Sequence, residues 1–358
     1  MMTCNISSPL RVDLSGGTLD LWPVGTFLQQ RSYQFWDKPL LTLNMAIQCK
    51  SYVQIKLSAG KGIELIQRRE QGDKIWKGEE PSLASDFILE RAVIMSFWPL
   101  IQHGLLKIIT SSEAPQGSGL GGSSSLMVSL VGAMMYLWEN PSAHKLEYFK
   151  SLDTLKKIAA RALYLEAGVL GGMAGNQDHL AAAFGGIQAI EHKMDGPRLH
   201  PLPPKIGQRI SEHVLYVTFQ EEHKSSDENQ NLLRKYFQGD SSAFEKISKI
   251  AELSLSLYEE LKGSCDLKKI GSIWNEDLNC RQSLSSSYLT SSLSKAYDMG
   301  RQQGSLGGRV CGAGGGGVLM MLFAEQSQKI KTAQELRNLG FQIPSWGFSP
   351  TGIQLDLM

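Results

Sequence analysis

Between residues 113 and 126 the chain reads EAPQGSGLGGSSSL, with glycines and serines at spacings that suit a phosphate. Gly117, Gly119 and Gly122 spell the G-x-G-x-x-G of dinucleotide loops. Gly117 and Gly122 also have the glycine spacing of a P-loop, but Ser123 stands where that loop has its lysine. The stretch 105–112 reads as a strand leading in, and 126–138 as a buried helix leading out. Backbone N–H groups of a glycine loop at a helix N-terminus bind phosphate oxygens without side-chain charge, and a hydroxyl there can ligate Mg2+. A nucleotide triphosphate therefore fits without a lysine, provided a metal shares the charge. A dinucleotide is the alternative, since Glu139 lies about where the ribose-binding acid belongs. Against it, the fingerprint follows a long β-rich stretch, and Ser123, Ser124 and Ser125 are surplus to it. A plain serine-capped turn is the bland alternative.

Phosphoryl transfer would need, besides the loop, a metal ligand, a cation and a carboxylate near the acceptor hydroxyl. Asp178 lies between a glycine-rich turn and a short alanine-rich helix, where backbones approach closely; as a helix N-cap it would have no such role. Glu166 ends an amphipathic helix, an unfavourable place for a carboxylate unless a cation compensates it. Arg11, in the first strand, offers a fork of donors to a phosphoryl group or to the acceptor's own phosphate, with an ion pair to Asp13 as the alternative. Asp20, after Gly16, Gly17 and Thr18, can accept from sugar hydroxyls or simply close a β-turn. Gly312, Gly314, Gly315 and Gly316 form a third glycine loop, whose folding entropy cost implies close backbone approach. No histidine has zinc spacing, and His179 reads as a packing residue or a polar contact.

The elements that must position these residues follow from pattern. Strand-like runs cover 8–14, 40–50, 51–58, 105–112 and 213–219, with a polar hairpin over 60–80. Helical spacing covers 83–98, 153–168, 243–261 and 289–304, and a short helix lies inside 171–187. The proline-rich stretch 195–207 is the most linker-like, which divides the chain into domains of residues 1–200 and 201–358, each of ordinary size. With 36 basic against 35 acidic residues, no strong pull toward nucleic acid or an anionic membrane is expected. The five cysteines are odd in number and scattered, as expected of reduced thiols in the cytoplasm. The N-terminus lacks the pattern of a signal peptide, and 126–138 is too short to span a bilayer.

Three segments together carry a family resemblance. PQGSGLGGSS (115–124) resembles the central ATP-binding motif of the GHMP kinase superfamily, RVDLSGGTLD (11–20) its N-terminal substrate motif, and GGRVCGAGGGGVLM (307–320) its C-terminal glycine motif. GGMAGNQDHLAAAFGGI (171–187), TLNMAI (42–47) and HKSSDE (223–228) resemble the heptose-7-phosphate kinase and fucokinase branch. Gly122 departs from the motif, which usually has serine there. The resemblance implies a mixed α+β fold of two domains, the N-terminal one like ribosomal protein S5 domain 2 and the C-terminal one ferredoxin-like. It implies an ATP- and Mg2+-dependent sugar kinase with a small-molecule acceptor, and no nucleic-acid or membrane partner. The assembly is left open between monomer and homodimer. It also implies nucleotide binding by Pro115, Gly117, Ser118, Gly119, Leu120, Gly121, Gly122, Ser123 and Ser124, and metal ligation by Ser123 and Glu166. Asp178 and Arg11 would act in catalysis. Gly16, Gly17, Thr18, Asp20, Gly314 and Gly315, with Arg11 and Asp178, would bind the acceptor.

Overall fold

A computed structural model describes residues 2–21, 24, 38–82, 86–101, 104–115, 117–138, 147–171, 175–219, 234–284, 288–312 and 317–356. Its larger sheet is built around two long strands, β1 (Met2–Ser15) and β2 (Leu41–Ser58), paired antiparallel along their length. The two runs expected at 40–50 and 51–58 are one strand. Its far half, from Ser51 to Ser58, pairs β5 (Leu105–Ser112), and its near half pairs β6 (Ile187–Lys193). The polar hairpin β3 (Gly62–Gln67) and β4 (Lys74–Gly78) extends the sheet through a parallel β3–β5 pairing. The two halves of β2 are buried differently. From Ser51 to Lys56 burial alternates residue by residue, as in a sheet with one wet face, whereas Leu41–Ile47 are buried throughout because both faces are covered.

The helices α1 (Ile88–Ile101), α2 (Gly122–Trp138), α3 (Leu152–Leu170) and α4 (Gln177–Phe184) cover one face of this sheet. Every α2 residue from Ser124 to Leu137 is buried, as its all-round apolar sequence requires. An irregularity in the β1–β2 ladder between Pro9 and Leu10 changes which β1 residues face these helices. Before it, Cys4 and Ile6 join the helical core and Ser8 bonds Ser129. After it, Arg11 turns to α4, while Leu10, Val12 and Leu14 join a second core on the other face.

That second core is shared with the C-terminal half. The proline-rich stretch expected as a linker is instead strand β7 (Gly196–Pro201), paired to β6, followed by α5 (Pro204–His213). Three antiparallel strands follow, in the order β8 (Val214–Thr218), β10 (Val318–Phe323), β9 (Ser305–Val310). Successive residues of β10 face opposite cores: Val318, Met320 and Leu322 meet Leu10, Val12 and Trp274, and Leu319, Met321 and Phe323 meet Leu293, Ala296 and Leu336. Helices α6 (Ser241–Lys262), α7 (Leu267–Leu284), α8 (Ser291–Gln302) and α9 (Gln326–Asn338) complete this half. The chain then returns to the larger sheet, where β11 (Gln354–Leu355) pairs β1. Among the described residues no helix is long and apolar enough to cross a membrane, and the five cysteines are free thiols.

Candidate active site

Arg11 is buried and wholly engaged. Its Nε lies 2.6 Å and its Nη2 2.5 Å from Asp178 Oδ1, and its Nη1 donates to the Gly119 carbonyl at 2.6 Å. Its backbone N–H also donates to the Leu120 carbonyl, so strand β1 and the glycine loop are held together at two levels. Burial alone would lower the arginine's pKa, but the Asp178 and Asp13 carboxylates raise it. The alternative pairing with Asp13 does not occur, because Asp13 pairs Arg309 instead.

Asp178 lies in the first turn of α4 and lies flat against the loop. A Cβ built on Gly121, whose φ is +75°, would come within 3.1 Å of Asp178 Cβ, Cγ and Oδ2. The loop's own glycines are just as constrained. Gly117, Gly119 and Gly121 all have positive φ, and Gly119 packs backbone to backbone against Cys311 and Gly312 of the third glycine motif. The close approach expected of Gly312 is therefore present; Gly314, Gly315 and Gly316 lie outside the described residues. Within the loop, Ser118 and Leu120 are buried, Pro115 is partly exposed, and Gly117 stands on the exposed rim. Gly122 opens α2, and Ser123 next to it is exposed at the helix N-terminus.

Glu166 was expected at a helix end, but α3 runs on to Leu170, and Glu166 occupies its buried face with Leu155, Ile158, Ala159 and Ala162. Ser124 Oγ donates to Glu166 Oε2 at 2.7 Å, and His179 Nε2 stands 2.6 Å from the same oxygen. Burial would raise this carboxyl's pKa, but His179 and the hydroxyls of Ser123 and Ser124 outweigh burial and hold it below the ordinary range. His179, which reads from sequence as packing or polar contact, is the second of these, a polar neighbour of the loop. One step beyond Asp178 on a helix, it must point about 100° away from that aspartate, and here that direction is α3. Ser123 and Glu166 offer a hydroxyl and a carboxylate beside a helix N-terminus, a hard-oxygen set suited to Mg2+ when phosphates supply further ligands. Among the described residues no cluster of three or more His, Cys, Asp or Glu side chains forms a self-sufficient metal cage.

Asp20 is buried behind the glycine turn that ends β1. It accepts from the Thr18 N–H at 3.1 Å and from the Gln177 N–H at 3.4 Å, and a Cβ on Gly175 would stand 1.8 Å from its Oδ2. Thr18 has φ +92°, an uncommon backbone for a β-branched residue. Burial, then the nearby charges of Asp178 and Asp13, push the Asp20 carboxyl up to about 6. Asp20 and Asp178 therefore meet at one place, the start of α4, although 157 residues separate Gln177 from Asp20 in the chain. The structure brings Arg11, Asp20, Asp178 and the glycine loop to one end of β1, with Glu166 reaching the loop through Ser124.

Comparison with known proteins bears on the family of the chain. The GHMP kinases N terminal domain model matches residues 88–186, and the GHMP kinases C terminal model matches residues 267–341. The chain is 25% identical to a D-glycero-alpha-D-manno-heptose 7-phosphate kinase of Campylobacter jejuni subsp. jejuni, covering 99% of both chains. It is 24% identical to a bifunctional fucokinase/GDP-fucose pyrophosphorylase of Arabidopsis thaliana, over 93% of this chain and 30% of that one. Among solved structures, a D-glycero-D-manno-heptose 1-phosphate kinase from Bacteriodes thetaiotaomicron superimposes with a TM-score of 0.73 at 21% identity, covering 100% of this chain and 99% of the other. A mevalonate kinase from Methanococcus jannaschii gives 0.73 at 18% identity, covering 97% and 99%. The two-domain fold, the order of the motifs and both family matches agree: the chain belongs to the GHMP kinases, phosphotransferases that take ATP as donor and an alcohol group as acceptor.

Proposed function

We propose that this kinase phosphorylates a hydroxyl of a sugar phosphate, a heptose 7-phosphate, in the cytoplasm. The observation that supports the phosphoryl-transfer chemistry is the Arg11–Asp178 pair pressed against Gly121, with Asp20 reaching the same helix start, and the choice of acceptor rests on the likeness to the heptose 7-phosphate kinase. Backbone N–H groups of 117–123 and the α2 N-terminus would cradle the nucleotide phosphates. Ser123 and Glu166 would hold Mg2+, which when bound neutralises charge on those phosphates. Asp20 would accept from acceptor hydroxyls and fix the sugar's orientation. Asp178 would accept the hydrogen bond of the attacking hydroxyl and take its proton as the new O–P bond forms and the bond from the γ-phosphorus to the departing ADP breaks. Arg11 would hold Asp178 in place and bring positive charge beside the transferring group.

The test is ADP release with Mg2+-ATP across D-glycero-D-manno-heptose 7-phosphate, fucose, galactose, mannose and mevalonate. Preferred turnover of the heptose phosphate supports the reading. Preference for a free sugar overturns the acceptor assignment and leaves the kinase; absence of both ATP binding and turnover overturns the assignment of the loop.

A further inference from the structure

The third glycine motif carries an arginine that the reaction above leaves without a part. Arg309 of β9 is fully buried, and it reaches across to the N-terminal half. Its Nη2 lies 2.8 Å from Asp13 Oδ2, and its Nη1 donates to the Leu14 carbonyl at 2.7 Å and lies 3.2 Å from Asp277 Oδ2. Arg281 of α7, also buried, pairs the same Asp277 oxygen at 3.0 Å and donates from Nη2 to the Gly17 carbonyl at 2.7 Å. Between those two carbonyls, the Gly16 carbonyl accepts from Thr42 Oγ1 at 3.0 Å. A Cβ on Gly17 would stand 2.3 Å from Asp13 Oδ2, so a larger residue there would displace the carboxylate that holds Arg309.

We propose that Arg309 and Arg281 are positioning residues for the acceptor loop: by holding the Leu14 and Gly17 carbonyls they fix the turn that aims Thr18 and Asp20. The inference rests on reading residues 16–20 as the acceptor loop. Two arginines and two aspartates balance in charge, so the cluster is tolerable in a dry core only while complete. An apolar pair would fill the space without that risk. Guanidinium groups give what an apolar pair does not, since each can bond a carboxylate and a backbone carbonyl at once. The arrangement also ties the acceptor turn to the strand that enters the third glycine loop, so the two motifs move as one body.

The test separates positioning from stability. In Arg309→Met, Asp13 is left buried without its partner; in Asp13→Asn/Arg309→Met both charges are gone, so stability returns but the donor to Leu14 does not. Hydrogen exchange, which needs no substrate, should show the double variant with wild-type protection in α2 and about tenfold faster exchange over 14–21. With D-glycero-D-manno-heptose 7-phosphate as probe, acceptor KM should rise about tenfold while the KM for ATP stays within about threefold. Wild-type exchange over 14–21 in the double variant, or equal movement of both KM values, overturns the proposal. Asp20→Asn separates the two readings. If it leaves acceptor KM unchanged, the acceptor-loop reading falls and this proposal with it; if it raises acceptor KM and the double variant does not, the positioning role alone falls.

Discussion

Replacing Asp178 with asparagine changes one oxygen into a donor and removes a charge while keeping shape. Arg11 engages only Oδ1, through both Nε and Nη2, so the amide oxygen of asparagine would keep that side. The NH2 would then occupy the Oδ2 position beside Gly121, where the proposed acceptor hydroxyl needs an acceptor. Loss of a positioned proton acceptor costs about 10²–10⁴ in turnover, or about 3–5 kcal/mol in the barrier. The stability cost should be smaller, because Asp178 is 22% exposed and Arg11 keeps its bond to the Gly119 carbonyl. About 1–2 kcal/mol is expected, well below the about 3–5 that follows breaking a fully buried pair. The assay is ADP release under saturating Mg2+-ATP, with the KM for ATP and the thermal midpoint measured on the same preparation. Turnover within about threefold of wild type would refute the argument, since a group that takes the proton cannot be replaced so cheaply. Turnover lost in step with the thermal midpoint would refute it too, by making Asp178 a purely structural partner of Arg11.

Gly121→Ala should lower kcat tenfold or more, because positive φ strains the alanine and its Cβ pushes Asp178 by a few tenths of an ångström; wild-type kcat in steady-state assays would count against the loop–aspartate contact. Glu166→Gln should raise the Mg2+ concentration needed for half-maximal turnover about tenfold or more, and Mg2+-dependent protection of ATP binding in calorimetry should weaken in parallel; an unchanged metal dependence would remove Glu166 from the metal site. Asp20 titrates near 6, so as pH falls below that value it protonates and acceptor KM should rise by up to about tenfold per pH unit, a slope that Asp20→Asn abolishes. The linked effect on stability has the opposite sense. A carboxyl whose folded pKa exceeds its unfolded value of 3.8 contributes stability that is complete below 3.8 and is lost as pH rises through about 6, and thermal midpoints of wild type and Asp20→Asn between pH 4 and 7 check it.

The part of the site that sequence makes legible is the part that uses unusual backbone. Glycines at 117, 119, 121 and 312 are there because φ is positive or because two backbones touch, and such requirements are written in residue type. Strand β5 and the buried helix α2 are equally plain, since an uninterrupted apolar helix has only one place to go. Helix α7 is the counter-example. Its buried face is Leu267, Ile270, Gly271, Trp274, Asp277, Leu278 and Arg281, a regular helical spacing in which two of the inward positions are charged. Periodicity arguments take charges as outward-facing, so the stretch does not announce itself as a packed helix. The two pair with each other one turn apart, and Asp277 also pairs Arg309, which in turn holds Asp13; Arg309 and Asp13 lie in distant segments, and only the fold brings the four together. Glu166 and His179 repeat the pattern on a smaller scale: neither helix by itself shows the 2.6 Å contact that joins them. Such a site is half visible because glycine constraints are local, while charge compensation belongs to no single stretch. Where a charged residue falls at an inward position of an otherwise regular helix, as Asp277 does, the departure from pattern is itself the signal that a partner is waiting elsewhere in the chain.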